Sequence, residues 1–473
     1  MSKMMSFLAI MLALSLFLMV PLLWVEANGF ISASAVETAA RAILLADGPA
    51  VFRATDAFYP PIPFTVALVL QAAIGGGAQI PILMSAVTGA VLLYLLYGNF
   101  VEKAAYPPLE AAILVLLIAI NPLFLRALSE GSDVLLLVIG VWIYGRGLVN
   151  LRLTGAAPDM MKVAVGLLII PLSQGYGLLI AVGTLPFLVL AARPSIFVVS
   201  PVGYLVSMFF PVVAAIGSLL FVSAVLKTTF FSAQIAAGKG DLGWISLAAL
   251  AAPLLVLTVV LGRLAPWPRY WMPLLALTAA LVAAAALNQV YEIEPDPVLT
   301  AVPLIGAVAV ALRLWPASGL RFWIAAALLL LSVPVAIWSI RAYGEHESQA
   351  WLDAASGRGI MDPLRADRAA ALFIAKLDGV IADVERHPGL VTTMGDISSL
   401  VVAGQPGYDF ALAGGHPSSG YLAVRKDPEM LVTSDRLMRT FPHLENNVPS
   451  GYELVYDNEG WRVFRVIARR GQE

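Results

Sequence analysis

The stretch Arg321-Phe-Trp-Ile-Ala-Ala-Ala-Leu-Leu-Leu-Leu-Ser-Val-Pro-Val-Ala-Ile-Trp-Ser-Ile-Arg341-Ala-Tyr-Gly-Glu345-His346-Glu347 decides the reading of the chain. No charged side chain lies between Arg321 and Arg341, and a helix needs about 20 apolar residues to cross a hydrocarbon layer. Charges return as soon as the run ends. Residues 1–342 hold 16 basic and 13 acidic side chains, and the much shorter stretch 343–473 holds 13 and 18. The stretch therefore closes a membrane-embedded part and opens a water-soluble one. Over all 473 residues the composition is 60% hydrophobic and 13% charged, with mean hydropathy +0.85. That excludes an ordinary soluble enzyme, in which about a quarter of residues are charged. A net charge of −2 with no basic block excludes a nucleic-acid binder. The absence of cysteine excludes disulfides, thiolate nucleophiles and Cys-ligated metals.

Working outward, apolar runs lie at 6–25, 79–98, 108–126, 131–146, 161–172, 176–192, 197–226, 243–262, 270–288, 298–313 and 321–341. The first is read as an uncleaved anchor, because Trp24-Val25-Glu26-Ala27-Asn28 makes a poor cleavage site. A further run at 62–75 is short and bounded by Pro60-Pro61 and Gly75-Gly76-Gly77, so it is expected to lie in the interface. With eleven crossings from a cytoplasmic N-terminus, the inside loops hold ten basic residues against three acids, and the outside loops hold ten acids. Letting 62–75 cross would invert every later loop against the positive-inside bias. The expected architecture is a polytopic α-helical membrane protein of about eleven spans (1–342) followed by a non-cytoplasmic soluble α/β domain (343–473). No inverted repeat and few mid-span charges are seen, which weakens a transporter reading.

In the tail, apolar residues at helical spacing predict a helix over 367–386. Strands are predicted at 390–394 and 421–425, and a hairpin at 452–456 and 461–466 around Asp457-Asn-Glu-Gly460. Further helix starts are read at Asp396 and near 433–440. Glu345-His346-Glu347 has the composition of a metal site but not its spacing, and reads as a hydrated linker. His416 and His443 read as surface residues. Function is thus sought in the outer loops.

The first outer loop, 26–61, is long enough to be functional. Residues 33–45 form an expected interfacial helix, with Glu37 and Arg41 on one face. Tyr59-Pro60-Pro61-Ile62-Pro63 then gives a stiff extended segment. Two acidic turns follow, Arg126-Ala-Leu-Ser129-Glu130-Gly-Ser-Asp133 and Tyr291-Glu292-Ile-Glu294-Pro-Asp296, with Lys227 and Lys239 in a loop between them.

This order resembles the GT-C class of membrane glycosyltransferases. The Tyr59-Pro-Pro-Ile-Pro63 element, Ser85-Ala-Val-Thr-Gly89-Ala90, the Asn121-Pro-Leu to Asp133 turn and the Tyr452-Glu-Leu-Val-Tyr456 hairpin carry the resemblance. It implies inverting transfer of a sugar from a polyprenyl-phosphate donor to an acceptor outside the membrane. The eleven crossings put the tail outside, in the periplasm or an equivalent space, and the expected location is a bacterial inner membrane. A divalent cation stays open as cofactor, no residue is assigned to metal, and lipid, the donor and a membrane protein are the expected partners. The family's acid falls near Ser32, a hydroxyl here. Glu37 and Asp56 are the candidate proton acceptors, against an ion pair with Arg41 and a turn cap, respectively. Glu130, Asp133, Arg126, Lys227 and Tyr59 are candidate substrate contacts. Helix capping is the alternative for the two acids and dipole compensation for Arg126. Arg341, like Lys227, reads equally as a phosphate contact or an interface anchor. Because the family acid is replaced at Ser32, a non-catalytic GT-C-like protein that binds a partner or lipid is the second reading.

Overall fold

The structure is a computed structural model. It describes residues 3–46, 59–75, 79–191, 200–226, 256, 258–260, 262–264, 268–291, 293–316, 318–360, 364–381, 391–394, 410–411, 421–426, 448 and 451–466. The chain divides into two compact units. The first comprises 1–32, 57–63 and 82–360, and the second 33–56, 64–81 and 361–473.

In chain order the principal helices are α1 (Lys3–Ala27), α2 (Ala33–Ala46), α3 (Pro61–Ile74), α4 (Ile80–Gly98), α5 (Pro108–Ala119), α6 (Pro122–Glu130), α7 (Ser132–Thr154), α8 (Ala157–Ser173), α9 (Tyr176–Thr184), α10 (Pro201–Leu226), α11 (Pro268–Tyr291), α12 (Pro297–Ala301), α13 (Leu304–Leu314), α14 (Arg321–Tyr343), α15 (His346–Ala355) and α16 (Arg365–Ile381). Among the described residues seven helical segments are long and apolar enough to cross a membrane, with one further bent pair. Phe7, Leu12, Val202, Phe210, Phe221, Trp323 and Leu331 stand exposed on their helices. Such apolar surface is stable against lipid and would aggregate in water. This is the architecture of a polytopic helical integral membrane protein.

Close helix contact inside the first unit depends on small residues, as expected where lipid removes the hydrophobic drive between helices. A Cβ at Gly166 would lie 2.6 Å from the Tyr144 backbone nitrogen, and one at Gly147 would lie 2.9 Å from Val163. Gly306 of α13 abuts Val138 and Trp142, while Arg313, farther along α13, bonds Asn150. The two helices therefore run parallel.

Three expectations need correction. Residues 108–126 are not one straight span: α5 and α6 are bent by 63°. Asn121 causes the break by accepting the Leu123 N–H at 3.0 Å, with Pro122 opening the new helix. The helix read as 131–146 continues to Thr154 and ends at Gly155, whose φ of +66 supplies the left-handed stop. Residues 345–347 are not a hydrated linker. Helix α15 starts at His346, and its Ser348 and Trp351 are buried. The break between α8 and α9 falls at Gln174, where two short helices were expected to meet. Most of the expected 243–262 span lies outside the described residues.

In the second unit, α2 is the expected helix of the long loop. A five-stranded sheet has β1 (Val391–Met394), β2 (Phe410–Ala411), β3 (Tyr421–Arg425), β4 (Tyr452–Asp457) and β5 (Trp461–Val466) in the order β2-β1-β3-β5-β4. The β1–β2 and β1–β3 pairs are parallel, whereas β3–β5 and β4–β5 are antiparallel. Asn458 makes the β4–β5 turn by accepting the Gly460 and Trp461 N–H groups at 2.9 and 2.7 Å. Trp461 is fully buried and donates its indole N–H to Asp367 at 2.8 Å. Phe373 stacks on Tyr456 with ring centroids 4.4 Å apart, which fixes α16 to the sheet. The helix starts read at Asp396 and near 433–440 lie outside the described residues.

Candidate functional site

The bend at Asn121 turns α6 so that Arg126 points into the first unit, where it has no solvent exposure. A buried guanidinium is stable only with anionic and hydrogen-bonding partners. Arg126 pairs with Glu130 at 2.6 Å, one helical turn on, and lies 3.7 Å from Asp296 and 3.8 Å from Glu347. Its Nε donates to Ser348 at 2.8 Å, and the Phe30 ring centroid is 5.4 Å away. Ser348 in turn donates to Asp296. Asp296 also caps α12 by accepting the Val298 N–H at 2.9 Å. Trp351, one turn beyond Ser348, donates to Ser129 of α6 at 2.9 Å. Helix α15 is thereby attached to α6 by three side chains.

Glu294 extends the centre. Asn288 holds its backbone from both sides, donating to the carbonyl at 2.7 Å and accepting the N–H at 2.9 Å. Gln174, at the α8–α9 break, donates to its carboxylate at 2.9 Å. Burial raises the Glu294 pKa well above its ordinary value, and the charges of Glu130, Asp296 and Asp133 push it the same way. Asp296 is also raised by burial, opposed by Arg126 and by the Ser348 hydrogen bond. Three carboxyl groups thus face one arginine, with Glu294 and Asp133 beside them, and the crowding of acids favours the neutral form of Glu294. A carboxyl group whose pKa is raised in this way is a stronger proton acceptor once ionised than a free carboxylate.

Tyr59 joins this network through the same helix break. Its hydroxyl donates to the Pro171 carbonyl at 2.6 Å and lies 3.2 Å from that of Gln174. Burial raises its pKa, so it remains a donor. Of the residues singled out in the sequence, the structure brings together Arg126, Glu130, Asp133 and Tyr59. Arg126 is a multiply paired ion and not a free phosphate contact. Glu130 is its partner and not a cap of α7, whose N-terminus has no side-chain cap. Glu37 belongs to the second unit, where it is half-exposed and paired with Arg41. Asp56 and Lys227 lie outside the described residues. Ser32 is buried, and its hydroxyl has no hydrogen-bond partner. Arg341 sits in the last turn of α14.

The sequence reading missed Asp296, Glu294, Gln174, Glu347 and Ser348 as members of a site. Asp296-Pro297 carries a visible helix-start signal, but Glu347 and Ser348 give no local sign of facing Arg126. Among the described residues no group of three or more His, Cys, Asp or Glu side chains is arranged to hold a metal ion. No protein-family model matches the chain, and no curated protein sequence matches it.

Proposed function

We propose that this protein is an integral membrane glycosyltransferase of the GT-C kind. It moves a sugar from a polyprenyl-phosphate donor to an acceptor on the non-cytoplasmic side, where its C-terminal α/β domain also lies. The observation that carries the reading is the convergence of Glu130, Glu294 and Asp296 from two acidic turns on one buried centre, with Tyr59 attached to it through the Gln174 carbonyl. In this reaction an acceptor hydroxyl gives its proton to a carboxylate as the sugar–phosphate bond breaks and the lipid phosphate leaves. The parallel course of α7 and α13 supports the span count. It requires an odd number of crossings between residues 154 and 297, and the hydropathy reading supplies five.

The second reading is a non-catalytic protein of the same architecture that binds a partner or lipid. Two observations favour it: Ser32 stands where the family acid is expected, and Arg126 is already engaged by Glu130, Asp296, Glu347 and Ser348. The deciding experiment incubates purified protein with radiolabelled polyprenyl-phosphate sugars and follows transfer. Wild-type transfer that is lost in Glu294→Gln, Glu37→Gln or Asp56→Asn supports the enzyme and identifies its proton acceptor. No transfer by wild type from any donor leaves the binding protein standing. A C-terminal reporter active only outside the cytoplasm tests the topology, and a cytoplasmic signal overturns the eleven-span count.

A further inference from the structure

A second charged centre lies about 20 Å along α7 from Asp133, and it has the opposite sign. Trp142, Arg146 and Asn150 are four residues apart on α7, so they form one stripe. Arg313, near the end of α13, reaches that stripe and donates to Asn150 at 3.1 Å. The Arg146 guanidinium carbon lies 5.5 Å from the Trp142 ring centroid. Arg146 and Arg313 are electrostatic neighbours and repel one another. Asp159 offsets part of that repulsion at Arg313, but its oxygens are hydrogen-bonded to Lys162 at 2.7 Å and to the Thr154 hydroxyl at 2.6 Å. Arg152, in the last turn of α7, adds a further positive charge.

Three donors here are buried with no hydrogen-bond partner: Nε of Arg146, Nη1 of Arg313 and the indole Nε1 of Trp142. A basic residue that merely anchors a helix extends its head into water, which satisfies its N–H groups. These three atoms are shut away from water although Arg146 and Arg313 are half-buried as residues, and two of them belong to like charges that act on one another. Buried donors left unsatisfied are rare and destabilising, and an anion seated between the two guanidiniums would both satisfy these donors and offset the like charge. Planar guanidiniums present paired N–H groups that match phosphate oxygens.

We propose that Arg146 and Arg313, with the Trp142 indole, form a binding site for a phosphate anion, carried either by an anionic lipid headgroup or as free phosphate. The site is separate from the carboxylate centre and does not depend on the transferase reading. Bound phosphate neutralises the pair and ties α7 to α13 at their common end.

The test uses the full-length protein in a neutral detergent. Native mass spectrometry reads lipid retained after extraction from membranes of phosphatidylethanolamine and phosphatidylglycerol. Thermal unfolding with inorganic phosphate, compared with chloride at equal ionic strength, reads the free anion. Wild type retains phosphatidylglycerol, and the Arg146→Gln/Arg313→Gln double variant retains about tenfold less. The Arg146→Lys/Arg313→Lys variant falls between them. Arg358→Gln, at an exposed arginine outside the site, behaves as wild type. Stabilisation of wild type by phosphate without lipid retention, lost in the double Gln variant, assigns the site to free phosphate. Wild type showing neither effect overturns the proposal however the variants behave. An equal loss of lipid in Arg358→Gln also overturns it.

Discussion

Replacing Arg126 by methionine keeps most of the side-chain volume and removes its charge. In the wild-type protein this guanidinium has no exposure and meets Glu130 at 2.6 Å, Asp296 at 3.7 Å and Ser348 at 2.8 Å. Solvent screening, which makes most exposed pairs nearly worthless, does not apply here. Stripping one partner from a buried ion pair costs about 3–5 kcal/mol, because the remaining charge is stranded. The cost should depend on pH. Arg126 is the main influence lowering the Asp296 pKa against burial, so its loss lifts that pKa further above the ordinary carboxylate value. Between those two values the folded protein binds more protons than the unfolded chain, and stability falls as pH rises. Arg126→Met is therefore closest to wild type at acid pH and falls further below it as pH rises. Equilibrium unfolding in mixed micelles at several pH values reads this directly. Adding Glu130→Gln removes one stranded charge and should return part of the loss, with a coupling of about 0.5–3 kcal/mol. If Arg126→Met unfolds like wild type at every pH, the guanidinium is not the organising charge of this centre and the site assignment fails.

Other perturbations have equally definite signs. Glu294 has a raised folded pKa, so its burial costs stability above the ordinary glutamate value and that cost grows with pH. Glu294→Gln should flatten the fall of stability from acid to neutral pH, and an unchanged slope in the unfolding profile would show that Glu294 does not hold the proton. Asp367→Ala leaves the buried Trp461 indole N–H without the acceptor 2.8 Å away, at a cost of about 1–3 kcal/mol. Hydrogen exchange of the intact chain should then rise across 452–466 while α7 keeps its protection. Asn121→Ala removes both the cap of α6 and the 2.9 Å bond to Ser332, with about 0.5–2 kcal/mol lost from the cap alone. Exchange should increase at the N–H groups of 123–125 first.

Elements whose signal is local were legible in the sequence. Hydropathy located most helices, because a span must satisfy its backbone within itself. Alternation together with Asp457-Asn-Glu-Gly460 located the β4–β5 hairpin, because Asn458 closes that turn with its own neighbours. The bend at Asn121-Pro122 was written locally too, as a cap followed by proline, but continuous hydropathy on either side hides it. The partners of Arg126 were not legible. Ser348 lies 222 residues away and Asp296 another 52 from Ser348, and nothing in a serine inside His346-Glu-Ser-Gln says that it will face an arginine. The same reason misplaced 345–347 as a linker. Its polar residues suit water, and only tertiary packing shows that Ser348 and Trp351 turn inward.

The two charged centres also explain why the sparse charges of the membrane part are sorted by sign. Helix α7 carries Asp133 in its first turn and Arg152 in its last. The α12–α13 segment begins at the Asp296 cap and carries Arg313 in its last turn. These helices run parallel, so their macrodipoles repel side by side, each with partial positive charge at its start and partial negative charge at its end. Acids gathered at the shared start and bases at the shared end offset that repulsion. A carboxylate-rich centre at one end and a guanidinium pair at the other are both consistent with packing two parallel helices side by side. A substitution that reversed either helix's terminal charge, such as Asp133→Lys, would therefore disturb the α7–α13 contact as well as the local site.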